Sequence, residues 1–451
     1  MRVHAADNLQ TALDAADYST VIVLDAGGTY TGNYQVKPKR WTDGWIYIIS
    51  SAFYLQESSA APPPQTRVRP EDAEQMAKLV SPNMQPALAI TTKGTAAATS
   101  HVRLVGLELT STSTAKADPA HKPWPINGQC PILLALQGTD SITIDRCYIH
   151  GSDVVDVTHA VIAYQGASNI AVVDSWISDA HIGGSDSQAF CMTSSPGPGK
   201  LVNNHFSASS EDVMFGGSGV NLPAPFNGYV PSDLEIRNNH FYKPESWIPQ
   251  TTGEKPYQWV VKNNLEFKSA ARVIVTGNVM ENAWQSGQVG ANLLIETNTA
   301  QSGPNAVTND IRAEGNVFKN ANWSVSVKGS DPSGPAVGES RRVRIAFNMI
   351  QLRSIASPAT YRPMGFSLGM GMFDYYIYAN TIVCLDGRAP WASIYFNQVK
   401  PELVPDNLWI VDNVLQNPIT GNGGFTGQKA LDVYMPLPPP PNDRYVGNIV
   451  S

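Results

Sequence analysis

The sequence predicts an all-β fold: a right-handed, single-stranded parallel β-helix of about eleven or more coils with an N-terminal capping helix. Three observations predict it. A short phrase of alternating apolar residues recurs along the chain, and one position of that phrase is nearly always Asn. The segments between the phrases are rich in the Gly and Pro that turns require.

The recurring phrase reads apolar-x-apolar-x-x-Asn-x-apolar, as in VIVTGNVM, VRIAFNMI and LWIVDNVL. We call the residues at its Asn position the slot residues. They are Leu107, Cys147, Ser175, Asn204, Asn239, Asn278, Asn316, Asn348, Asn380, Asn413 and Asn448. The last eight are all Asn. An inward Asn can bond the backbone of the next coil and tolerates the left-handed conformation of tight bends, so we expect an Asn ladder.

A second strand precedes the slot phrase, and its register follows from counting back from the slot. PILLALQG, AVIAYQG, AFCMTSS and NNLEFKS each end nine residues before their slot. A one-residue slip would turn core side chains outward, so this constant offset predicts which residues face the core. The predicted inward residues are Leu265 and Phe267, with Leu134, Leu136, Ile162 and Tyr164 as their equivalents in earlier coils.

We expect one domain over residues 1–451. Residues 1–20 contain NLQTALDAA, an amphipathic helical segment that would cap the open end of the core. Residues 21–416 hold the coils and their long loops. Residues 417–451, with the run PLPPPP, are expected to form a C-terminal covering loop and the last coil.

Composition limits the classes of partner. The net charge is −7 and the pI is near 5.6, which argues against nucleic acid as the main partner. No run of 18 apolar residues is present, and the N-terminus lacks the basic and apolar regions of a signal peptide, so no membrane partner is expected. The four cysteines include no C-x-x-C pair and indicate no zinc site. We expect a monomer, because closed coils leave few strand edges.

Polar residues of neighbouring coils fall on one outward face. Lys262, Asn264, Glu266 and Lys268 alternate with the inward residues of one strand. The same alignment places Glu296 and Lys328 in the column of Lys268, Asn292 in that of Asn264, and Asp212 beside Asn264, while Gly216 and Gly217 leave room. Four tryptophans occur in the surrounding segments: Trp247, Trp259, Trp284 and Trp323.

This patch has the groups needed to cleave a uronic-acid polymer by β-elimination. The reaction requires a cation for the C6 carboxylate, a base for the C5 proton and an acid for the departing oxygen. Lys268 can be the base, with Lys262, Arg272 or Lys328 as the acid. Asp212, Asn264 and Glu266 offer the hard oxygen ligands that suit Ca²⁺. Substrate would contact Lys328, Asn292, Trp259, Trp284 and Trp323.

The coil phrases and the outward N-x-E-x-K-S motif (Asn264, Glu266, Lys268, Ser269) resemble the pectate lyase-like β-helix superfamily. The resemblance is to polysaccharide lyases of the alginate lyase and chondroitinase B type. It implies a polysaccharide or oligosaccharide as partner and Asn and Glu as calcium ligands. It also implies a Lys and an Arg, here Lys268 and Arg272, as base and acid. Members of this superfamily are usually exported, so we expect a secreted, extracellular or periplasmic protein.

Other readings of the sequence stay open. A glycoside hydrolase on this fold would use two carboxylates from among Glu266, Glu296 and Asp212. A carbohydrate esterase is suggested by GGTYTGNY, SQAF and EDVMFGG. A tailspike-like or adhesin-like solenoid would show the same repeats and bind glycans without cleaving them. A second polar cluster is formed by Asp145, His150, Asp153, Asp156 and His159, which we expect to be a solvated turn.

Overall fold

The strands of the protein pair in parallel with strands one coil away, which is the pairing expected of a parallel β-helix. The computed structural model describes residues 1–39, 42–56, 59–92, 99–114, 132–248, 259–284, 290–329, 339–353, 363–369, 371–385, 392–397, 406–416, 419–421, 426–427, 429–430 and 445–450. Strands are numbered in chain order and belong to three sheets, A, B and C. The predicted fold class, a right-handed parallel β-helix, is confirmed.

The chain divides into two compact units. Unit one comprises Met1–Val213 with Tyr257–Val260, and unit two comprises Met214–Pro256 with Val261–Ser451. That all coils form a single domain stays a prediction. Much of the predicted C-terminal covering loop lies outside the described residues.

Unit one contains strands of all three sheets. Sheet A has β1 (Arg2–Val3), β2 (Val21–Leu24), β5 (Ile46–Ser50), β8 (Ser100–Val105), β11 (Asp140–Asp145), β14 (Ser168–Val173) and β17 (Gly199–Val202). Sheet B has β3 (Thr29–Thr31), β6 (Ala77–Ser81), β9 (Leu107–Ser111), β12 (Tyr148–His150), β15 (Trp176–Ala180) and β18 (His205–Ala208). Sheet C has β4 (Tyr34–Val36), β7 (Leu88–Thr91), β10 (Ile132–Gln137), β13 (His159–Tyr164) and β16 (Gln188–Thr193). The unit boundary falls within β19 (Glu211–Phe215).

Unit two repeats the arrangement. Sheet A has β20 (Ser232–Arg237), β23 (Ala270–Thr276), β26 (Val307–Glu314), β29 (Glu339–Ala346), β32 (Met372–Tyr378), β35 (Asp406–Val411) and β38 (Tyr445–Val446). Sheet B has β21 (His240–Tyr242), β24 (Val279–Ala283), β27 (Val317–Ala321), β30 (Met349–Leu352), β33 (Thr381–Cys384), β36 (Val414–Leu415) and β39 (Ile449–Val450). Sheet C has β22 (Leu265–Phe267), β25 (Ala291–Glu296), β28 (Trp323–Lys328), β31 (Met364–Leu368), β34 (Ala392–Phe396) and β37 (Ile419–Gly421).

Helical segments are short. The α-helices are α1 (Leu9–Ala15) and α2 (Thr299–Ser302), and 3-10 turns occupy Ser51–Gln56, Pro70–Gln75, Phe226–Gly228 and Glu245–Trp247. Helix α1 lies where the sequence predicts a helix. The side chain of Asn8 caps its N-terminus, and the helix packs beside β4. Its role as a cap over the open core stays a prediction.

The Asn ladder forms within each unit. In unit two, the backbone N–H of Asn316 donates to Oδ1 of Asn348 at 2.8 Å, and the N–H of Asn348 donates to Oδ1 of Asn380 at 3.1 Å. In unit one, Ser175 Oγ takes the same acceptor role for Cys147. The left-handed backbone lies one residue before the slot and not at the Asn itself, as at Phe347, where φ is 56°. The ladder therefore depends on the hydrogen bonding of Asn and not on its backbone freedom.

Core registers agree with the prediction in unit two and differ in one earlier coil. Leu265 and Phe267 pair with Leu293 and Ile295, and all four are fully buried. In unit one the predicted inward residues Ile162 and Tyr164 are wrong by one position. Leu134 pairs with Val161 and Leu136 with Ala163, because the turn between β13 and β14 has one more residue than the turn between β10 and β11.

Candidate functional site

Three strands of sheet C in unit two present a three-by-three array of outward side chains. The first column holds Asn263, Ala291 and Trp323; the second holds Glu266, Leu294 and Ser326; the third holds Lys268, Glu296 and Lys328. Neighbouring strands of a sheet lie ~4.8 Å apart, so side chains in one column are within reach of each other. The predicted column of Lys268, Glu296 and Lys328 is confirmed.

The array forms the floor of a cavity of about 330 Å³. The other lining residues are Gly290, Asn298, Gln301 and Asn397. A cavity of this volume is at the lower end of the range of small-molecule sites, which run from ~300 to ~1,000 Å³. The lining is partly charged and partly apolar. Its charged side chains are Glu266, Lys268, Glu296 and Lys328, and its apolar side chains are Ala291, Leu294 and Trp323.

The first ion pair joins Glu266 and Lys268 on β22. The Nζ atom of Lys268 lies 3.5 Å from Oε1 of Glu266, and both side chains are nearly buried, at 11% and 2% exposure. The other carboxylate oxygen, Oε2, accepts a 2.8 Å hydrogen bond from Nδ2 of Asn263. Oδ1 of Asn263 in turn accepts the backbone N–H of Ala291 at 2.9 Å. Asn263 therefore ties Glu266 to the next strand and leaves Oε1 directed at Lys268.

The second ion pair joins Glu296 and Lys328 on adjacent strands. Nζ of Lys328 donates to Oε2 of Glu296 at 2.9 Å, and the lysine is the more exposed partner, at 31% against 13%. A partly exposed pair of this kind contributes little to stability. Lys328 can therefore exchange its partner for an anionic ligand at modest cost.

Hydrogen bonds from Asn298, the N-cap residue of α2, and from Ser302 of α2 hold the backbone of Lys268. Its carbonyl accepts the N–H of Asn298 at 2.9 Å and the hydroxyl of Ser302 at 3.3 Å. Ser302 also accepts the N–H of Gly217 at 2.9 Å. A Cβ atom on Gly217 would lie only 3.0 Å from Cδ of Lys268, so the predicted room beside this lysine depends on Gly217.

Asn264 and Asn292 do not face the cavity, and their predicted outward orientation is wrong. Both side chains are fully buried, and Nδ2 of Asn292 donates to Oδ1 of Asn264 at 2.8 Å. Their amides also bond backbone carbonyls of sheet B, including that of Met280. The strict alternation used in the prediction fails at Asn264, which directly precedes β22, and at Asn292, the second residue of β25.

Two of the three predicted calcium ligands, Asn264 and Asp212, are buried and already engaged in other hydrogen bonds. Oδ1 of Asn264 already accepts a hydrogen bond from Asn292, and Asp212 is fully buried, with Oδ1 accepting the N–H of Ala208 at 2.8 Å. Of the three predicted ligands only Glu266 lines the cavity. Across the described ranges, no group of three or more His, Cys, Asp or Glu is placed to hold a metal ion. The residues present do not fit the predicted site, so no step below uses a metal.

Arg272 and Lys262 are not cavity residues. Arg272 lies on sheet A and makes two exposed hydrogen bonds to the carboxylate of Asp233, at 2.7 and 2.8 Å. These bonds raise the pKa of Arg272 and lower the pKa of Asp233. Lys262 is buried and is not among the lining residues. Of the three cations that were candidates for the acid, only Lys328 lines the cavity.

Of the three tryptophans expected to contact substrate, only Trp323 lines the cavity. Trp284 is buried, at 1% exposure. Trp259 belongs to unit one, where its ring stacks on His181 with 3.6 Å between centroids. The indole of Trp323 is packed against Met364, and Ala392 and Tyr395 belong to the same apolar cluster. Trp323 therefore forms a well-supported wall.

The second predicted polar cluster is not one cluster. Asp145, His150 and His159 lie on consecutive strands of one coil, which belong to sheets A, B and C. Asp145 is paired with Arg103, and His150 lies 3.0 Å from Glu108. His159 is buried, which lowers its pKa to about 4. The prediction of a solvated turn is wrong for Asp145, Asp156 and His159, because each is less than a tenth exposed.

Sequence reasoning missed several lining residues. They are Asn263, Ser326, Asn298, Gln301 and Asn397. Ser326 was open to detection, because it is two positions before Lys328 on the same strand and must share its outward direction. Asn298 and Gln301 were not, because they are the N-cap and a residue of a helical insertion, α2, that no periodic pattern marks.

No protein-family model matches the sequence, and no curated protein matches it. Its fold is similar to that of PfbA, a surface adhesin of Streptococcus pneumoniae, with a TM-score of 0.52 and 12% identity over 92% of this chain and 84% of that chain. A tailspike protein mutant of E. coli bacteriophage HK620 in complex with pentasaccharide gives a TM-score of 0.49 at 10% identity, over 98% of this chain and 62% of that chain. For alginate lyase from Paenibacillus sp. str. FPU-7 the TM-score is 0.32 at 12% identity, over 94% and 95% of the two chains.

At these identities the comparisons establish the fold, a parallel β-helix, and the activity has to be argued from the site. In the described ranges, none of the helices has the length and apolar character needed to cross a bilayer.

Proposed function

We propose that the protein is a carbohydrate-active β-helix protein, a polysaccharide lyase that cleaves a uronic-acid-containing polymer in the cavity over β22, β25 and β28. The observation that carries the proposal is the presence of two lysines, each held by a glutamate, on the floor of one cavity. A uronate substrate has a carboxylate to bind and an adjacent C5 proton to remove. The two lysines differ in burial, which suits them to these two tasks.

Lys328 is the group that binds the substrate carboxylate. It is the more exposed lysine, and its only described partner across the sheet is Glu296. Charge neutralisation at C6 makes the C5 proton more acidic, because the negative charge that develops beside the carboxylate is then stabilised.

Lys268 is the base, and Glu266 positions it. Lys268 reacts in its neutral amine form, with its Nζ held 3.5 Å from Oε1 of Glu266, and this amine removes the C5 proton. The electrons of the C–H bond form a C4–C5 double bond, and the bond between C4 and the glycosidic oxygen breaks. The proton then passes from Lys268 to the departing oxygen. One fragment ends in an unsaturated uronate and the other in a new reducing end, and no water is consumed.

The experiment is incubation of the protein with alginate, pectate, glucuronan and chondroitin, with two products followed in parallel. Unsaturated ends are read by ultraviolet absorbance, and reducing ends are read by a colorimetric assay. We expect equal numbers of both from at least one polymer. Reducing ends without unsaturated ends would contradict the lyase proposal.

A glycoside hydrolase is the second candidate, because Glu266 and Glu296 project into the cavity from adjacent strands. Hydrolysis needs two carboxyl groups ~5–5.5 Å apart for retention or ~6.5–9.5 Å apart for inversion. Each of these carboxylates is already engaged in an ion pair with a lysine, and neither is placed to donate a proton to a glycosidic oxygen without breaking that pair. We therefore rank hydrolysis below elimination.

Binding without cleavage is the outcome that would place the protein with surface adhesins, whose fold it shares. We also propose that the protein acts outside the cytoplasm and is a monomer. Both cleavage and binding of a polysaccharide are compatible with this.

A further inference from the structure

Strand β28 presents to the cavity two uncharged polar groups without a partner among the described residues. Ser326 is 2% exposed and lines the cavity, and its Oγ makes no hydrogen bond to any described residue. Trp323, three residues earlier on β28, also lines the cavity, and its Nε1 has no acceptor within the described part of the chain. Both groups therefore lie on the β28 side of the same site.

Buried polar groups are nearly always hydrogen-bonded, because leaving one unsatisfied costs ~1–3 kcal/mol. The strand that carries these groups offers no internal alternative: Val325 and Val327 alternate with Ser326 and fill the core. The cavity, which both residues line, is the space that can supply the missing partners. An indole N–H can only donate, and a serine hydroxyl both donates and accepts.

We propose that Ser326 and Trp323 form an uncharged subsite that recognises hydroxyl groups of a sugar ring next to the bound uronate. This inference rests on the proposed function. In that function Lys328 binds the carboxylate of the uronate, and the next sugar of the polymer would then lie against Trp323 and Ser326. Sugar hydroxyls supply both an acceptor for the indole N–H and a partner for Oγ. The ring of Trp323, supported by Met364 and Ala392, gives the apolar face of the sugar a rigid wall.

The strand itself supplies a matched control. Ser324 is also fully buried, and its Oγ likewise lacks a hydrogen-bond partner among the described residues, but Ser324 does not line the cavity. Ser324→Ala and Ser326→Ala therefore remove the same group from the same strand. Only Ser326→Ala removes it from the cavity.

The test is calorimetric binding of oligosaccharides prepared from alginate, pectate, glucuronan and chondroitin, to the wild-type protein and three variants. Ser326→Ala and Trp323→Phe are each expected to weaken binding about 5- to 10-fold, through loss of one hydrogen bond. Ser324→Ala is expected to leave the affinity unchanged. Thermal unfolding of each variant shows whether the fold is retained.

The outcomes separate this inference from the proposed function. An unchanged affinity in Ser326→Ala and Trp323→Phe overturns the inference, and so does an equal loss in Ser324→Ala. Oligosaccharides that bind but are not cleaved contradict the lyase proposal, while the affinities of the variants still decide the subsite. If no oligosaccharide binds the wild-type protein, both proposals fail.

Discussion

Replacing Lys268 by Met is expected to lower kcat on a cleaved uronate polymer by about 10²- to 10⁴-fold, the usual contribution of a positioned proton-transfer group. Methionine keeps the length and apolar volume of the side chain and removes the amine. The substrate carboxylate would still bind Lys328, so KM should change much less than kcat. Steady-state kinetics on the polymer that the wild-type protein cleaves fastest measures both constants.

Lys319→Met is the matched control. Lys319 belongs to the same unit, lies on sheet B and is 3.7 Å from the carboxylate of Glu281, away from the cavity lining. We expect this variant to retain wild-type kcat. A Lys268→Met variant that folds and turns over at the wild-type rate would remove Lys268 from the mechanism.

Asn348→Ala is expected to lower the free energy of unfolding by about 3–5 kcal/mol, because several buried bonds depend on this one side chain. Oδ1 of Asn348 accepts two hydrogen bonds from Asn316, one from the backbone N–H at 2.8 Å and one from Nδ2 at 3.1 Å. Nδ2 of Asn348 donates to the carbonyl of Ala313 at 3.0 Å and to Oδ1 of Asn380 at 2.9 Å. Urea unfolding followed by circular dichroism measures the effect.

Asn305→Ala makes the same chemical change at an exposed site of unit two. Its side chain makes one 3.3 Å hydrogen bond to the carbonyl of Gly228, and the loss should stay within about 0.5 kcal/mol. A similar, small effect in both variants would show that the ladder is not a main source of stability.

The Asn ladder was predictable because its spacing, its chemistry and its apolar flanks all point to one structure. Asn278, Asn316 and Asn348 each follow alternating core residues, and each bonds the next slot residue. The third column of the site was predictable for a related reason. Once Leu265 and Phe267 face the core, Lys268 and its neighbours in the next two coils must face outward.

The corners between sheets could not be predicted from alternation. Asn264 is one residue before Leu265 and would point outward on a continuous strand, but the bend before β22 turns it toward the carbonyls of sheet B. The same bend brings Asn263 into the cavity. Arg272 was predicted as the acid from the resemblance to polysaccharide lyases, which implies an Arg in that role. It lies on sheet A, since the chain leaves sheet C within two residues of Lys268.

Register errors arose where turn length changed without a visible signal. The extra residue between β13 and β14 shifts Ile162 and Tyr164 from the predicted inward positions, although the phrase still ends nine residues before its slot. Counting back from the slot assumes that the turn after each strand has the same length. The register is decided instead by core packing, which pairs the buried Val161 and Ala163 with Leu134 and Leu136 of β10.

The most direct test of the central claim is a crystal structure of the Lys268→Met variant with an oligosaccharide of the polymer that the wild-type protein binds most tightly. We predict a uronate in the cavity over β22, β25 and β28, with its carboxylate within hydrogen-bonding distance of Nζ of Lys328. The next sugar should lie against Trp323 and Ser326. An oligosaccharide bound on another face, with the cavity free of sugar at a saturating concentration, would contradict the assignment of this cavity as the polysaccharide site.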